Sequence, residues 1–128
     1  DVYKRQVLGT GGASQAVQYV LAQMEIPFDL VSRNPATGNY TYDEVSDEVI
    51  GSHRLIINAS PVGMHPNVEE APRIPYAFVT PSHYLFDLIY NPAETLFLQY
   101  GAQRGAHTCN GLDMLVGQAE AAWAIWNR

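Results

Sequence analysis

Short apolar runs alternate with stretches of helical periodicity along the 128 residues of the chain. A first run over residues 6–8 enters a glycine-rich turn at Gly9. Ala13, Ala16, Val17, Val20, Leu21 and Met24 then recur at helical spacing, which predicts a helix with one apolar face, closed by Pro27. Residues 28–32 predict the next strand, and Tyr40 with Thr41 a very short edge strand. Thr41 and Glu44 have capping-box spacing ahead of a short helix running to about Ile50. Leu55, Ile56 and Ile57 form a buried-strand run ended by Asn58. Residues 61–81 hold five prolines and read as loop with a helical turn. Residues 84–87 predict a strand, 94–104 a helix ended by Gly105, 107–109 a last short strand, and 112–126 a final helix.

Six strands joined by crossover helices imply a Rossmann-like α/β fold. The expected architecture is a doubly wound, mostly parallel six-stranded sheet with helices on both faces. Ligands of such sheets bind beyond the carboxyl ends of the strands. Gly9, Ser32, Asn58, Tyr90 and Gly111 all fall at such ends, so one edge collects every candidate site.

Composition narrows the picture. Apolar residues make up 47% and charged residues 16%, below the usual ~25%, so disorder is excluded and some surface is meant for burial. A net charge of −6 excludes a nucleic-acid-coating protein. The single cysteine, Cys109, excludes an internal disulfide and a cysteine-cage zinc site, and reads as a small buried hydrophobe. His53, His65, His83 and His107 lack paired metal spacing and read as surface or strand-end residues; no metal is expected. No apolar run approaches ~18 residues, so no membrane span is expected, and the setting is read as cytoplasmic. Residues 1–6 resemble the translated end of a sequencing-library adapter and are set apart as a non-native lead-in, the alternative being a short native strand entry. Residues 7–128 are then the domain, and Lys4, the only lysine, lies outside it.

Gly9-Thr10-Gly11-Gly12-Ala13-Ser14 follows a strand and opens a helix. Glycine lets the chain turn sharply and lets backbone N–H groups approach a pyrophosphate without an intervening Cβ, while the helix N-terminus favours the anion. The third glycine of the dinucleotide fingerprint is replaced by Ser14, still small enough for close helix–strand packing. An NAD enzyme usually ends its second strand with an acid. Here that end reads Val31-Ser32-Arg33-Asn34, and Asp29 comes too early in the strand. A guanidinium can pair with a 2′-phosphate that a carboxylate would repel, so Arg33 argues for NADP.

Three segments together resemble the cofactor domain of shikimate dehydrogenase: the glycine loop, Asn58-Ala59-Ser60-Pro61-Val62-Gly63-Met64, and the stretch from Asn110 to Ala119. Asp87-Leu88-Ile89-Tyr90-Asn91-Pro92 looks like the same family's strand-end motif, and Ser32-Arg33-Asn34 is similar to its Asn-Arg-Thr clamp. The resemblance covers residues 7–128. It implies NADP-dependent, reversible reduction of 3-dehydroshikimate to shikimate. It implies pyrophosphate contacts from Gly9, Thr10, Gly11, Gly12 and Ala13, with Asn58 in the cofactor set. It also implies a 2′-phosphate clamp of Ser32, Arg33 and Asn34, extending to Thr37. Leu88 and Gly111 match positions lining the nicotinamide, and Tyr90 and Gln118 match residues that reach shikimate. Ser32 departs from the clamp's usual first residue, and Thr37 stands where some members carry a second basic residue. The family's catalytic Lys–Asp pair sits in an upstream substrate domain with which the small-molecule substrate would be shared. No catalytic residue is expected within this chain. Two other readings stay open: a standalone, non-catalytic dinucleotide-binding module, and a quinate/shikimate dehydrogenase using NAD. Shikimate versus quinate and the oligomeric state are not decided by these residues.

Overall fold

The computed structural model describes residues 4–111. The predicted final helix, and Gln118 with it, lie outside the described residues. Six strands form one sheet: β1 (Lys4–Leu8), β2 (Phe28–Ser32), β3 (Tyr40–Thr41), β4 (His53–Asn58), β5 (Tyr84–Asp87) and β6 (His107–Asn110). Their order is β3-β2-β1-β4-β5-β6, and every neighbouring pair is parallel. The chain order reverses between β1 and β4, which leaves a crevice at their carboxyl ends.

Alternation along the strands sends successive side chains to opposite faces. Val7 and Ile57 pack with Leu21 of helix α1 (Gly12–Gln23) on one side. Leu8 and Ile56 pack on the other side with Ile50 of helix α2 (Asp47–Ser52) and with Phe97 and Leu98 of helix α3 (Leu96–Gln103). Helices therefore cover both faces, as the sequence implies. Each fully buried Leu, Ile or Phe contributes about 1.5–3 kcal/mol. Among the described residues, no helix is long and apolar enough to cross a membrane.

Four local expectations change. Strand β1 begins at Lys4, two residues earlier than expected, and Gln6 is completely buried in it. The buried stripe of α1 is Ser14 and Leu21 with Val17 half-buried, whereas Val20 and Met24 are 51% and 63% exposed. The helix is rotated because its first turn closes onto the sheet through the small, buried Ser14. The Thr41–Glu44 pair exists, with the Glu44 carboxylate accepting from the Thr41 N–H at 2.9 Å, but it closes only a single 3-10 turn, Tyr42–Glu44. A second cap, Ser46, whose hydroxyl oxygen accepts from Val49 N–H at 3.3 Å, starts α2.

His53 and His83 do lie at strand starts but are buried rather than on the surface. His53 Nε2 meets Asp29 Oδ2 at 2.7 Å, and its Nδ1 meets the Val49 carbonyl at 2.6 Å. His83 accepts from Thr80 N–H at Nδ1 (3.0 Å), so Nε2 carries the proton donated to the Ile50 carbonyl at 2.8 Å. Both rings tie α2 to the amino end of the sheet, opposite the crevice.

Candidate cofactor-binding site

The carboxyl edge of the sheet opens into a cleft of about 1480 Å³, larger than the ~300–1,000 Å³ usual for drug-sized ligands. Gly9 through Ala13 line it. Gly9 turns the chain with φ +99°, donates its N–H to the Val31 carbonyl at 2.8 Å, and sits so close to Ser60 that a Cβ would lie 3.1 Å from the Ser60 Cβ. Gly11 is the N-cap of α1, whose first turn holds no acid. A Cβ on Gly11 or Gly12 would meet nothing within 4 Å, so both glycines face open space at a helix N-terminus. This is a cradle that an anion can enter and a side chain would fill.

The second strand ends in a braced loop. Ser32 is buried, its hydroxyl 2.7 Å from Thr37 Oγ1 and accepting from Asn34 N–H at 3.1 Å. Asn34 Oδ1 accepts from Ala36 N–H at 2.9 Å. These bonds hold Arg33 exposed at the mouth of the cleft with Ser32, Asn34 and Thr37. Asp29 is committed to His53 and does not line the cleft.

Asn58 sits at the end of β4, behind the cleft wall. It is fully buried and does not line the cleft. Its amide N–H groups donate to Asp87 Oδ1 at 3.2 Å and the Val62 carbonyl at 3.3 Å, and its Oδ1 accepts from Ser60 Oγ at 2.6 Å. Asp87 also accepts from Thr95 Oγ1 at 2.6 Å and Ile89 N–H at 3.0 Å. Burial pushes the Asp87 carboxyl up, against the pull of its bonds from Thr95, Ile89 and Asn58. Asn58 and Asp87 thus tie the two strand-end loops together.

Leu88 N–H donates to the Asn58 carbonyl at 3.1 Å, which places Leu88 on the cleft wall beside Tyr90, itself 63% exposed. Gly111 is buried behind Leu88 and does not line the cleft; a Cβ there would strike the Leu88 carbonyl. Its glycine serves close backbone approach.

Tyr42 and Arg73 are among the cleft residues that the sequence reading does not name, while Ser60 belongs to the 58–64 segment quoted above. Tyr42, just after β3, and Ser60, just after β4, line the cleft on either side of the β1 end. Burial raises the Tyr42 pKa above the ordinary phenol value, against smaller opposing pulls from Ser60 and the Arg33 charge. No residue pattern announces Tyr42 or Arg73, because sheet order and loop return bring them to the cleft. Among the described residues no cluster of His, Cys, Asp or Glu could hold a metal.

No family model matches the chain. A shikimate dehydrogenase (NADP(+)) from Caldanaerobacter subterraneus subsp. tengcongensis is 36% identical over 96% of this chain and 49% of that protein. The shikimate 5-dehydrogenase of Thermus thermophilus, solved with NADP(H) and shikimate, superposes with a TM-score of 0.74 at 29% identity over 95% of this chain and 48% of the other. A chorismate mutase/shikimate 5-dehydrogenase fusion protein from Clostridium acetobutylicum reaches 37% identity and a TM-score of 0.71 over 99% of this chain and 48% of that one. The chain spans about half the length of the curated relatives it matches. By sequence and fold together it belongs to the shikimate dehydrogenases, as a counterpart of their NAD(P)-binding domain.

Proposed function

We propose that the cleft binds NADP(H) and that the chain is the cofactor-holding half of a shikimate dehydrogenase. The observation that carries this reading is the pairing of an open glycine cradle with Arg33, braced at the end of a β2 strand that presents no carboxylate to the cleft. The cradle fits a pyrophosphate because Gly11 and Gly12 leave their space clear at the start of α1. Arg33 fits the 2′-phosphate, since a charge-assisted contact there separates NADP from NAD. Leu88 and Tyr90 lie at the β5 end, where the nicotinamide and the substrate would meet. The bound cofactor supplies the hydride; the protein supplies binding and orientation.

Proton transfer at the substrate oxygen needs a group within about 2.6–3.2 Å. The only lysine is Lys4, which opens β1 at the amino end of the sheet, away from the cleft. The acid–base pair would therefore come from a substrate domain, as the family pattern implies, and this chain alone would bind dinucleotide without turnover. Calorimetric titration of the chain should give tighter binding of NADP+ than of NAD+; equal affinities refute the cofactor assignment. An NADPH oxidation assay with 3-dehydroshikimate should stay at the no-enzyme blank. Turnover above it would place the catalytic group inside the chain.

A further inference from the structure

Arg73 lies on the loop between β4 and β5, far in sequence from the Ser32–Asn34 loop, yet it lines the same cleft. Its position is built from beneath. Tyr76 donates its hydroxyl to the Pro72 carbonyl at 2.7 Å, and its ring meets Phe97 edge-on at 6.3 Å, which anchors residues adjoining Arg73 to the core. Tyr42 and Tyr76 both pack against the core cluster that holds Phe97, and Tyr42 lines the cleft together with both arginines.

The charge pattern of the cleft is unusual for an acidic chain. Arg104 is occupied, donating to the Ala77 carbonyl at 2.8 Å, and Arg5 and Arg54 also have partners. Arg33 and Arg73 are exposed and form no hydrogen bond or ion pair among the described residues, although Asp43 and Glu70 line the same cleft. Two guanidinium groups left without a protein partner at one cleft, in a chain of net charge −6, are placed to meet an anion from outside.

We infer that Arg73, which lines the same cleft as Arg33, is a second anchor for the 2′-phosphate of the dinucleotide. This rests on the NADP reading above. It supplies from a distant loop the second cation that Thr37 does not provide.

The test uses the full 128-residue chain. NADP+ and NAD+ are titrated by calorimetry into the wild type, Arg73→Gln and Arg33→Gln. Arg73 is exposed and holds no partner among the described residues, so its variant keeps the fold, checked by circular dichroism. The inference expects Arg73→Gln to weaken NADP+ binding about ten-fold while NAD+ binding stays within about two-fold. An unchanged NADP+ affinity, or an equal loss for both dinucleotides, overturns it. If Arg33→Gln loses NADP+ selectively and Arg73→Gln does not, the second anchor fails and the cofactor reading stands. If the wild type does not favour NADP+ at all, the cofactor reading itself fails.

Discussion

Replacing Gln6 by methionine should stabilise the protein. Gln6 lies in β1, the strand flanked by β2 and β4, paired with Asp29 and Ile56. Its side chain is 0% exposed, and among the described residues neither Nε2 nor Oε1 has a hydrogen-bond partner. By alternation it shares the face of Leu8, the face packed by Val31, Ile50 and Ile56. Burying an amide without compensating hydrogen bonds costs about 1–3 kcal/mol by mutational measure. Methionine has a similar length and an adaptable shape, so little overpacking opposes the gain. The expected stabilisation is about 1–3 kcal/mol, or a rise in melting temperature of roughly 3–10 °C for a domain of this size. Urea denaturation of the two proteins, read by circular dichroism and compared at equal m-value, measures it. A midpoint unchanged or lowered in Gln6→Met refutes the reasoning and means that the amide is satisfied by a buried water. Gln6→Glu is the opposing control and should be destabilising, because a carboxylate there would be buried beside Asp29.

Gly11→Val should fold normally, since a Cβ there meets nothing within 4 Å, yet lose binding of both dinucleotides; retained binding in a titration would show the loop misassigned. Gly9→Val should instead lower the melting temperature by several degrees, because φ +99° is strained for a branched residue and Ser60 stands 3.1 Å away; an unchanged melting point would refute this. Asp87→Asn should alter the pH dependence of stability. The folded-state pKa of Asp87 is raised, so its stabilising contribution is present at low pH and fades as pH rises through that pKa. From about pH 7 down to about pH 4, the wild type should therefore gain stability relative to Asp87→Asn; parallel denaturation midpoints across that range would contradict the burial argument.

The strand and loop order was legible in the residues themselves. Strands β2 and β5 fall where their apolar runs begin and end, and Gly105 follows the last turn of α3 with φ +80°. These features are local: two-residue and 3.6-residue periods, together with glycine at positive φ, act within a few positions. The glycine cradle and Arg33 were legible for the same reason, being set by a strand end and the turn after it. What only the tertiary structure decided is which of these residues line the cleft. Asn58 and Gly111 sit at the right strand ends but are turned inward, Asn58 to bond Asp87 from the neighbouring strand and Gly111 to admit the Leu88 carbonyl. Ser14 and Leu21, rather than Val20 and Met24, form the buried stripe of α1, because the sheet beneath selects the angle of the helix. Tyr42, Ser60 and Arg73 line one cleft through the β3-β2-β1-β4 order and a loop that returns to it, alongside contacts such as Asn58 with Asp87. Such contacts join residues tens of positions apart, and no local period encodes them; they follow from closing one sheet and packing both of its faces.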